Sequence, residues 1–542
     1  MSFSLPAFVP LPLLLTASLI VLSYPLSYLF YNLYLHPLAK YPGPLPARAT
    51  DWYKTYIEVY RQQSMVHLLI ELHGRYGDVV RIAPNEVCLL SICLSLLLPL
   101  PRLLPFSSPH NLTSTTPQLH FSSPSAFNHI YSPRHRWNKD LQLYRSFGED
   151  TSSFGFLTYS ESKARKDVMQ PLFSRRAIIS MQHLVWSHIG ILVSRITAEN
   201  ARGRPVDLLF ALRAFTMDMV TSFCFARTVD AMSAPGFAAP IVQAMDASSP
   251  TFVLLKHFPL FRKFLFSLPP WLAIKLSPET AGLTHLQVML KAQVDEVVAD
   301  PGSLERVDHE IVYHRLLDRE VAGEGGVPGK KSLYEEAQAL MFAGGDSVAN
   351  TLMVGLFHVL DHPKTLRRLK EEIARVWPVL DEHPSFETLE ALPVLTATIK
   401  ESLRIAPGVP SPLLRVVPDG GAVIDGRTIP GGTVVGMSTV MVHTSNEIFK
   451  NADVFDIHRW MGPDAAGLDQ WLVTFSKGPR SCLGINLAYC EMYIAMATLI
   501  RSFELKLNGT TAAELVWRDT FLPFFTGKHL HAWCEPVKAV SG

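Results

Sequence analysis

Phe475-Ser476-Lys477-Gly478-Pro479-Arg480-Ser481-Cys482-Leu483-Gly484 sets one cysteine in a short loop between two glycines, with an arginine two residues before it. Behind the loop, Ile485 to Ala497 runs as a long apolar stretch of helical period. Cys482 therefore stands just before a helix N-terminus, where backbone N–H groups and the helix dipole favour negative charge and lower a thiol's pKa. Gly478 and Gly484 permit a tight turn and the close approach of a flat ligand. Arg480 carries a permanent charge that can pair with a carboxylate. Taken alone, Cys482 is better read as an inert thiol in a Gly-rich turn; the loop as a whole outweighs that reading.

A thiolate with no second Cys or His nearby to complete a zinc site points to a single axial bond to haem iron. The pattern F-x-x-G-x-R-x-C-x-G is complete here, and it resembles the haem-binding loop of the cytochrome P450 family. The resemblance implies a mainly α fold, the cytochrome P450 fold, with a small β-rich side region and an N-terminal transmembrane helix. It implies haem b as cofactor, with Cys482 on the metal and Phe475, Gly478, Arg480 and Gly484 against the macrocycle.

The 542 residues carry 49 basic and 48 acidic side chains, a balance that gives no support for nucleic-acid binding. The six cysteines show no disulfide or zinc spacing, which fits a reducing compartment. Residues 1 to 39 contain no Asp, Glu, Lys or Arg, and Ala7 to Tyr34 is apolar and long enough to span a bilayer. Tyr24, Tyr28, Tyr31 and Tyr34 fringe its end, Lys40 and Arg48 follow, and the positive-inside rule puts the rest of the chain in the cytosol. A cleaved signal peptide is the competing reading; no basic leader and no small-residue cleavage site support it. The chain thus divides into an anchor (1–35), a Pro/Gly hinge (36–50) around Tyr41-Pro42-Gly43-Pro44-Leu45-Pro46, and a catalytic domain (51–542). This layout resembles microsomal members of the family, and Leu33-Tyr34-Leu35-His36-Pro37-Leu38 resembles fungal members. A single-pass protein of the endoplasmic reticulum membrane is the expectation.

Residues 75 to 87 read as a strand, a turn and the start of a second strand. Residues 88 to 119 then lose all period: they are rich in Leu, Ser, Pro and Thr, with one charge at Arg102. A membrane-contacting insertion, a variable loop and translated intron compete here. The third is preferred, because a long apolar loop without structure is physically unfavourable in a packed domain. Donor-like and acceptor-like codons can also stand at Val87-Cys88 and Gln118.

Residues 161 to 176 form a basic helix and turn resembling the family segment that reaches a haem propionate. Lys166 is the expected cation, with Arg165 as second choice and a solvated basic face as the plain alternative. Residues 250 to 273, with Phe252, Phe258, Phe264 and Trp271, are apolar and broken by prolines; the resemblance makes the segment a pocket roof that dips into lipid, and core packing is the other reading.

Ser332 and Glu335 are spaced as a capping box that starts a helix of roughly 45 Å, ended by His362-Pro363. Gly344 and Gly345 at its centre predict a weakened, locally widened helix. Ala343-Gly344-Gly345-Asp346-Ser347 resembles the family's oxygen-handling signature, with Asp346 and Ser347 as catalytic residues: the acid gates protons and the hydroxyl meets dioxygen. Ser347 stands where the family favours Thr.

Glu401-Ser402-Leu403-Arg404 is weak alone, since such pairs are common on helix surfaces. With Arg459 in Phe455-Asp456-Ile457-His458-Arg459-Trp460 it resembles the family's buried Glu–Arg–Arg lock. Arg415 matches a position that meets a propionate, and residues near Val409 to Ser411 and Phe524 to Gly527 match substrate-facing loops.

The implied reaction is insertion of one oxygen atom from O2 into an apolar small molecule of secondary metabolism, such as a terpenoid. The chain has no dinucleotide-binding glycine motif, so NADPH would act through a membrane-bound NADPH–cytochrome P450 reductase, with cytochrome b5 as a further partner. Redox-independent isomerisation or dehydration by the same fold, and an inactive haem protein if residues 88 to 119 are present, remain alternatives.

Overall fold

Helices begin in this chain where a side chain or a proline can start them. Ser64, Thr158 and Asp207 each accept the backbone N–H three residues on, and Pro240, Pro259, Pro270, Pro363 and Pro393 stand at first positions. The resulting computed structural model describes residue 23 and residues 26–84, 117–322 and 326–537. Its main helices are α1 (Met65–Tyr76), α2 (Tyr159–Met169), α3 (Gln182–Ala201), α4 (Leu208–Phe225), α5 (Pro240–His257), α6 (Pro259–Ser267), α7 (Pro270–Leu276), α8 (Ala281–Ala299), α9 (Lys330–Asp361), α10 (Pro363–Val376), α11 (Pro393–Ile405) and α12 (Ile485–Ser502).

The strands are short and lie to one side. β1 (Val79–Ala83), β2 (Gln118–Phe121), β3 (Asn138–Lys139), β5 (Arg415–Val416) and β8 (Val434–Gly436) form one sheet in the order β1-β2-β8-β5-β3. Only β2 and β8 run parallel in it. β4 (Val206–Asp207), β12 (His531–Pro536) and β9 (Phe503–Leu507) form a second sheet with β12 in the middle. β6 (Ala422–Ile424) with β7 (Arg427–Ile429), and β10 (Trp517–Thr520) with β11 (Leu522–Phe525), make two hairpins. The mainly helical architecture with a small β region is therefore present as expected.

α9 is the spine. Its 32 residues reach about 48 Å. It starts at Lys330, two residues before the predicted cap, because Ser332 and Glu335 are engaged elsewhere: Ser332 Oγ donates to Thr151 O at 2.7 Å, and Glu335 accepts from Thr151 N at 2.6 Å. The predicted widening at Gly344-Gly345 is absent, and the α-helix runs through unbroken. Close packing explains the glycines instead. A Cβ on Gly344 would lie 2.5 Å from Val220, and one on Gly345 2.6 Å from Met217, both on α4; one on Gly355 would lie 2.2 Å from Ser402 Oγ on α11.

The hinge is pinned to the sheet. Arg81 N donates to Pro42 O at 2.8 Å, and a Cβ on Gly43 would lie 2.2 Å from Arg81 O, so only glycine fits. Of the predicted anchor, Leu26 to Leu35 is helical, its last five residues in wider turns, and Leu26, Phe30, Tyr34 and Leu35 are exposed. Residues 1–22, 24 and 25 lie outside the described residues, as do residues 85–116, which take in all of the atypical stretch (88–119) but its last three residues. The last two residues of that stretch belong to the fold: Gln118 and Leu119 pair with Ala83 and Arg81 in β2.

Candidate functional site

The Cys482 loop is shaped by two left-handed residues, Ser476 at φ 57° and Gly478 at φ 73°. A Cβ on Gly478 would come within 2.7 Å of Tyr131 O, so glycine is required there. Cys482 N donates to Phe475 O at 2.9 Å, which closes the loop, and α12 starts three residues on. The Phe475 ring packs on Tyr489, centroids 5.2 Å apart. Cys482 lies deep among protein atoms, yet its surface is exposed, as on the wall of an interior space. The expectation of a lowered thiol pKa is reversed: burial raises it, and the Gly484 N–H and the Lys166 charge offset this only in part. A bound metal cation is what would hold this sulfur as thiolate.

Cations gather around the loop. Lys166 Nζ donates to Ser481 O at 2.7 Å. Arg165 turns the other way, to Glu336 Oε2 at 3.1 Å and Ser332 Oγ at 2.9 Å, so of the two basic candidates Lys166 faces the cysteine loop. Arg480 donates to Phe156 O and Leu157 O at 3.2 and 3.0 Å. Arg415 is buried in β5 and donates to Tyr144 Oη at 3.1 Å. A fourth cation was not foreseen. Lys139, opposite Arg415 in β3, is buried, with its ammonium 4.4 Å from the Tyr144 ring centre and 4.7 Å from that of Phe154. Burial, then the charges of Arg480, Arg415 and Lys166, hold its pKa well below the usual lysine range. No local motif marks Lys139; only the β3–β5 pairing brings it here.

On α9, Ala343 is exposed in a helix that is otherwise largely buried, which marks an open space beside it. Ser347 Oγ donates to Ala343 O at 2.9 Å. Asp346 points elsewhere. Its carboxylate accepts from Arg213 Nε of α4, and from Asn350 Nδ2 at 2.9 Å. Arg213 also donates to Asp246 Oδ1 of α5 at 2.5 Å. Arg213 and Asp246 carry no sequence signature; the close α4–α9 packing at the glycines is what brings the arginine to Asp346.

Glu401, Arg404 and Arg459 meet in one buried cluster. Arg459 Nε lies 3.1 Å from Glu401 Oε1, and Trp460 Nε1 donates to Oε2 at 2.7 Å. Arg404 also donates to the carbonyls of His443, Ala452 and Val454 at 2.9, 2.6 and 3.0 Å, which ties the end of one short helix and the loop after it to α11.

Four phenylalanines, Phe147, Phe154, Phe252 and Phe521, form a cluster. Phe147 meets Phe154, Phe252 and Phe521 at 5.0, 4.7 and 4.7 Å between centroids. All four are only half-buried. Phe521 sits at the β10–β11 turn with φ 81°, a strained position for a residue with a side chain. Phe154 belongs to a loop gripped by α9: Glu336 accepts from Ser153 N and Oγ at 2.7 and 2.6 Å.

The residues present fit a flat macrocycle with two carboxylates. A Cβ on Gly484 meets nothing within 4 Å, so open space adjoins the backbone beside the thiol. Arg415 and Arg480 line one small cleft with Trp137 and Tyr159. Arg480 Nε and His135 Nδ1, of residues on that wall, are buried without a hydrogen-bond partner.

The family model for cytochrome P450 matches residues 125–520. The cytochrome P450 monooxygenase flvC of Aspergillus flavus is 32% identical over 511 residues, covering 94% of this chain and 93% of its own. The cytochrome P450 monooxygenase macH of Penicillium terrestre is 32% identical over 507 residues, covering 92% and 93%. The tryptophan 6-hydroxylase fscE of Fusarium equiseti is 31% identical over 502 residues, covering 90% of each chain.

Proposed function

The chain belongs to the cytochrome P450 family, and on that premise we propose a membrane-anchored haem-thiolate monooxygenase that oxygenates an apolar small molecule of fungal secondary metabolism. Bound haem would supply the iron at which dioxygen is activated and one of its atoms is inserted into substrate. The single observation that carries this reading is the Cys482 thiol, open to interior space in a loop braced by Lys166.

The chain's own residues take the following parts. Cys482 is the iron ligand, and Phe475, Gly478 and Gly484 shape the loop against the macrocycle. Arg415, Arg480, Lys166 and Lys139 offset the two propionates; placing carboxylates there would restore the ordinary charge of Lys139. Ser347 holds a proton at Oγ beside the open face of α9. Asp346 delivers protons when its pair with Arg213 loosens. Glu401, Arg404 and Arg459 keep the loops around the cofactor in place. Phe147, Phe154, Phe252 and Phe521 present an apolar, aromatic wall to substrate.

Electrons come from NADPH through a reductase of the same membrane, docking near Lys477, with cytochrome b5 as an additional donor. The chain sits on the endoplasmic reticulum membrane through residues 1–35, followed by the Pro/Gly segment 36–50 packed on the body, with residues 51–542 in the cytosol. Supporting this, Leu260, Phe264, Phe266, Trp271 and Leu276 of α6 and α7 are exposed, and Trp52 lies 6.5 Å from Phe258 between ring centroids. An apolar patch of this kind is ordinarily covered, and lipid beside the anchor would cover it.

A carbon monoxide difference spectrum of the reduced protein tests the reading. A band at about 450 nm that Cys482→Ser abolishes is expected of thiolate ligation. Its absence from the unmodified protein would overturn the assignment.

A further inference from the structure

A second cleft continues from the aromatic cluster. Leu143, Lys256 and Asp519 line it, and each shares a segment with one of the rings. Phe147 comes four residues after Leu143, Phe252 one helical turn before Lys256 on α5, and Phe521 two residues after Asp519 of β10. The cleft therefore adjoins the aromatic wall. Met65, Leu69, Ile82, Pro412 and Leu414 give it apolar sides.

The carboxylates on this cleft are not alike. Glu58 is occupied, with Lys256 Nζ and His257 Nε2 at 2.5 and 2.6 Å from its two oxygens. Asp140 Oδ2 accepts from Leu143 N at 2.9 Å and caps a short helix. Asp519 Oδ1 accepts from Ser64 Oγ and from Val66 N, the latter at 3.2 Å, which fixes this carboxylate at the start of α1. Asp519 Oδ2 has only a long contact, from Ser411 Oγ at 3.5 Å. Asp519 and Ser411 are both buried, and both line the cleft. A carboxylate oxygen has room for two hydrogen bonds, and a buried acceptor left short of partners is costly. Oδ2 is therefore ready to take a donor from a ligand.

The lining also selects the kind of donor. Lys54 Nζ donates to Gln118 Oε1 at 3.1 Å, and both residues line the cleft. An acceptor, Asp519 Oδ2, thus shares the space with two donors, Ser411 Oγ and Lys54 Nζ. A hydroxyl both donates and accepts, so it matches the two kinds at once. An ammonium group only donates and would face the charge of Lys54; a carboxylate only accepts and would face the charge of Asp519.

We propose that Asp519 is a specificity-determining residue that selects an alcohol: its Oδ2 accepts from a hydroxyl at one end of a substrate whose apolar body lies against the four phenylalanines. What is then done to that substrate rests on the monooxygenase reading; the binding of the alcohol does not. A bare hydrocarbon is a poor substrate on this account. The reaction that supplies the substrate must leave a hydroxyl on an apolar skeleton, as ketone reduction, capture of water by a carbocation or an earlier oxygenation does.

Calorimetric titration of the full-length holoprotein at neutral pH tests this. The probes are farnesol, cinnamyl alcohol and tryptophol, each beside its methyl ether and the primary amine of the same skeleton. At least one alcohol is expected to bind about tenfold more tightly than its ether and its amine, the low end for a hydrogen bond to a charged group. Asp519→Asn keeps an oxygen for Ser64 and Val66 and puts an amide NH2 where Oδ2 stands, so alcohol and ether should then bind alike. The panel on the unmodified protein decides independently of how that variant folds. Ethers or amines that match the alcohols, a preference that survives Asp519→Asn, or no binding by any of the three alcohols would each overturn the proposal. The carbon monoxide band is read on the same samples. Its absence would sink the monooxygenase reading, while alcohol binding that depends on Asp519 would still stand.

Discussion

The guanidinium of Arg404 meets the carboxylate of Glu401 through two hydrogen bonds, Nε to Oε2 at 2.9 Å and Nη2 to Oε1 at 2.7 Å, with both side chains sealed from solvent. The same carboxylate also accepts from Asp456 N at 2.8 Å, from Arg459 and from Trp460. Such a pair is costly to break, because the surviving charge stays buried.

Glu401→Gln is therefore expected to destabilise the protein by about 3–5 kcal/mol, and Arg404→Lys to lose the paired geometry that only a planar guanidinium offers. Both should purify with reduced haem content. Chemical denaturation and the haem-to-protein ratio check this, and unchanged values in both variants would reduce the cluster to a packing detail.

The two loop glycines should respond differently to alanine. Gly478→Ala meets both a positive φ and the Tyr131 carbonyl, and is expected to lower the stability of the haem-free protein by about 1–3 kcal/mol. Gly484 has φ −87° and no neighbour in the way, so Gly484→Ala should leave the haem-free protein within about 0.5 kcal/mol of the original. Its methyl group should nevertheless weaken haem binding. Equal effects of the two on haem-free stability would contradict the open space inferred beside Cys482.

Acid should destabilise the fold before the carboxylates are reached. Burial and neighbouring charge bring His358 down to about 4 and His443 to about 3. Val473 N donates to His443 Nε2 at 3.0 Å, which requires that nitrogen to be unprotonated. The unfolded chain binds protons at these sites near pH 6.5 and the folded chain does not, so stability falls as pH drops below 6.5 and levels off near the folded values. Each group contributes about 1.4 kcal/mol per pH unit across that window. Asp519, pushed up to about 6 mainly by burial, acts oppositely between about 6 and 4 and cancels one such contribution there. Denaturant midpoints from pH 7 to 4.5 should fall, and less steeply in His443→Gln; a flat profile would argue against buried neutral imidazoles.

Strand register bears on residues 88–117. Ala83 pairs with Gln118 across the β1–β2 ladder. Removing residues 88–117 would leave Pro84, Asn85, Glu86 and Val87 to join the two, a normal hairpin length. A chain shortened in this way is expected to fold and bind haem at least as well as the full sequence, and the spliced transcript should lack the segment. A message that encodes it, with a shortened protein that fails to load haem, would establish the segment as part of the enzyme.

The cysteine loop, the long helix and the Glu401 lock were legible because each is a local pattern with fixed spacing. What the sequence concealed depends on contacts between distant segments. Lys139 becomes part of the cation cluster only because two-residue β3 pairs with β5. Arg213 reaches Asp346 only because Gly344 and Gly345 let α4 approach, and those glycines read locally as a weak spot in a helix. The capping box was misplaced for the same reason: Ser332 and Glu335 bind residue 151, far away in sequence, instead of their own helix end. The thiol of Cys482 followed position in one sense and burial in another, and burial dominated.

The loop from Glu149 to Leu157 is fastened at both ends, by Glu335 and Glu336 on one side and by Arg480 on the other. Mutational drift in Phe154 must therefore respect two clamps at once, whereas Phe252 on its helix and Phe521 on its hairpin tip carry no such double duty. New chemical preferences in descendants of this gene should arise first at those two rings, leaving the clamped loop as the inherited constant.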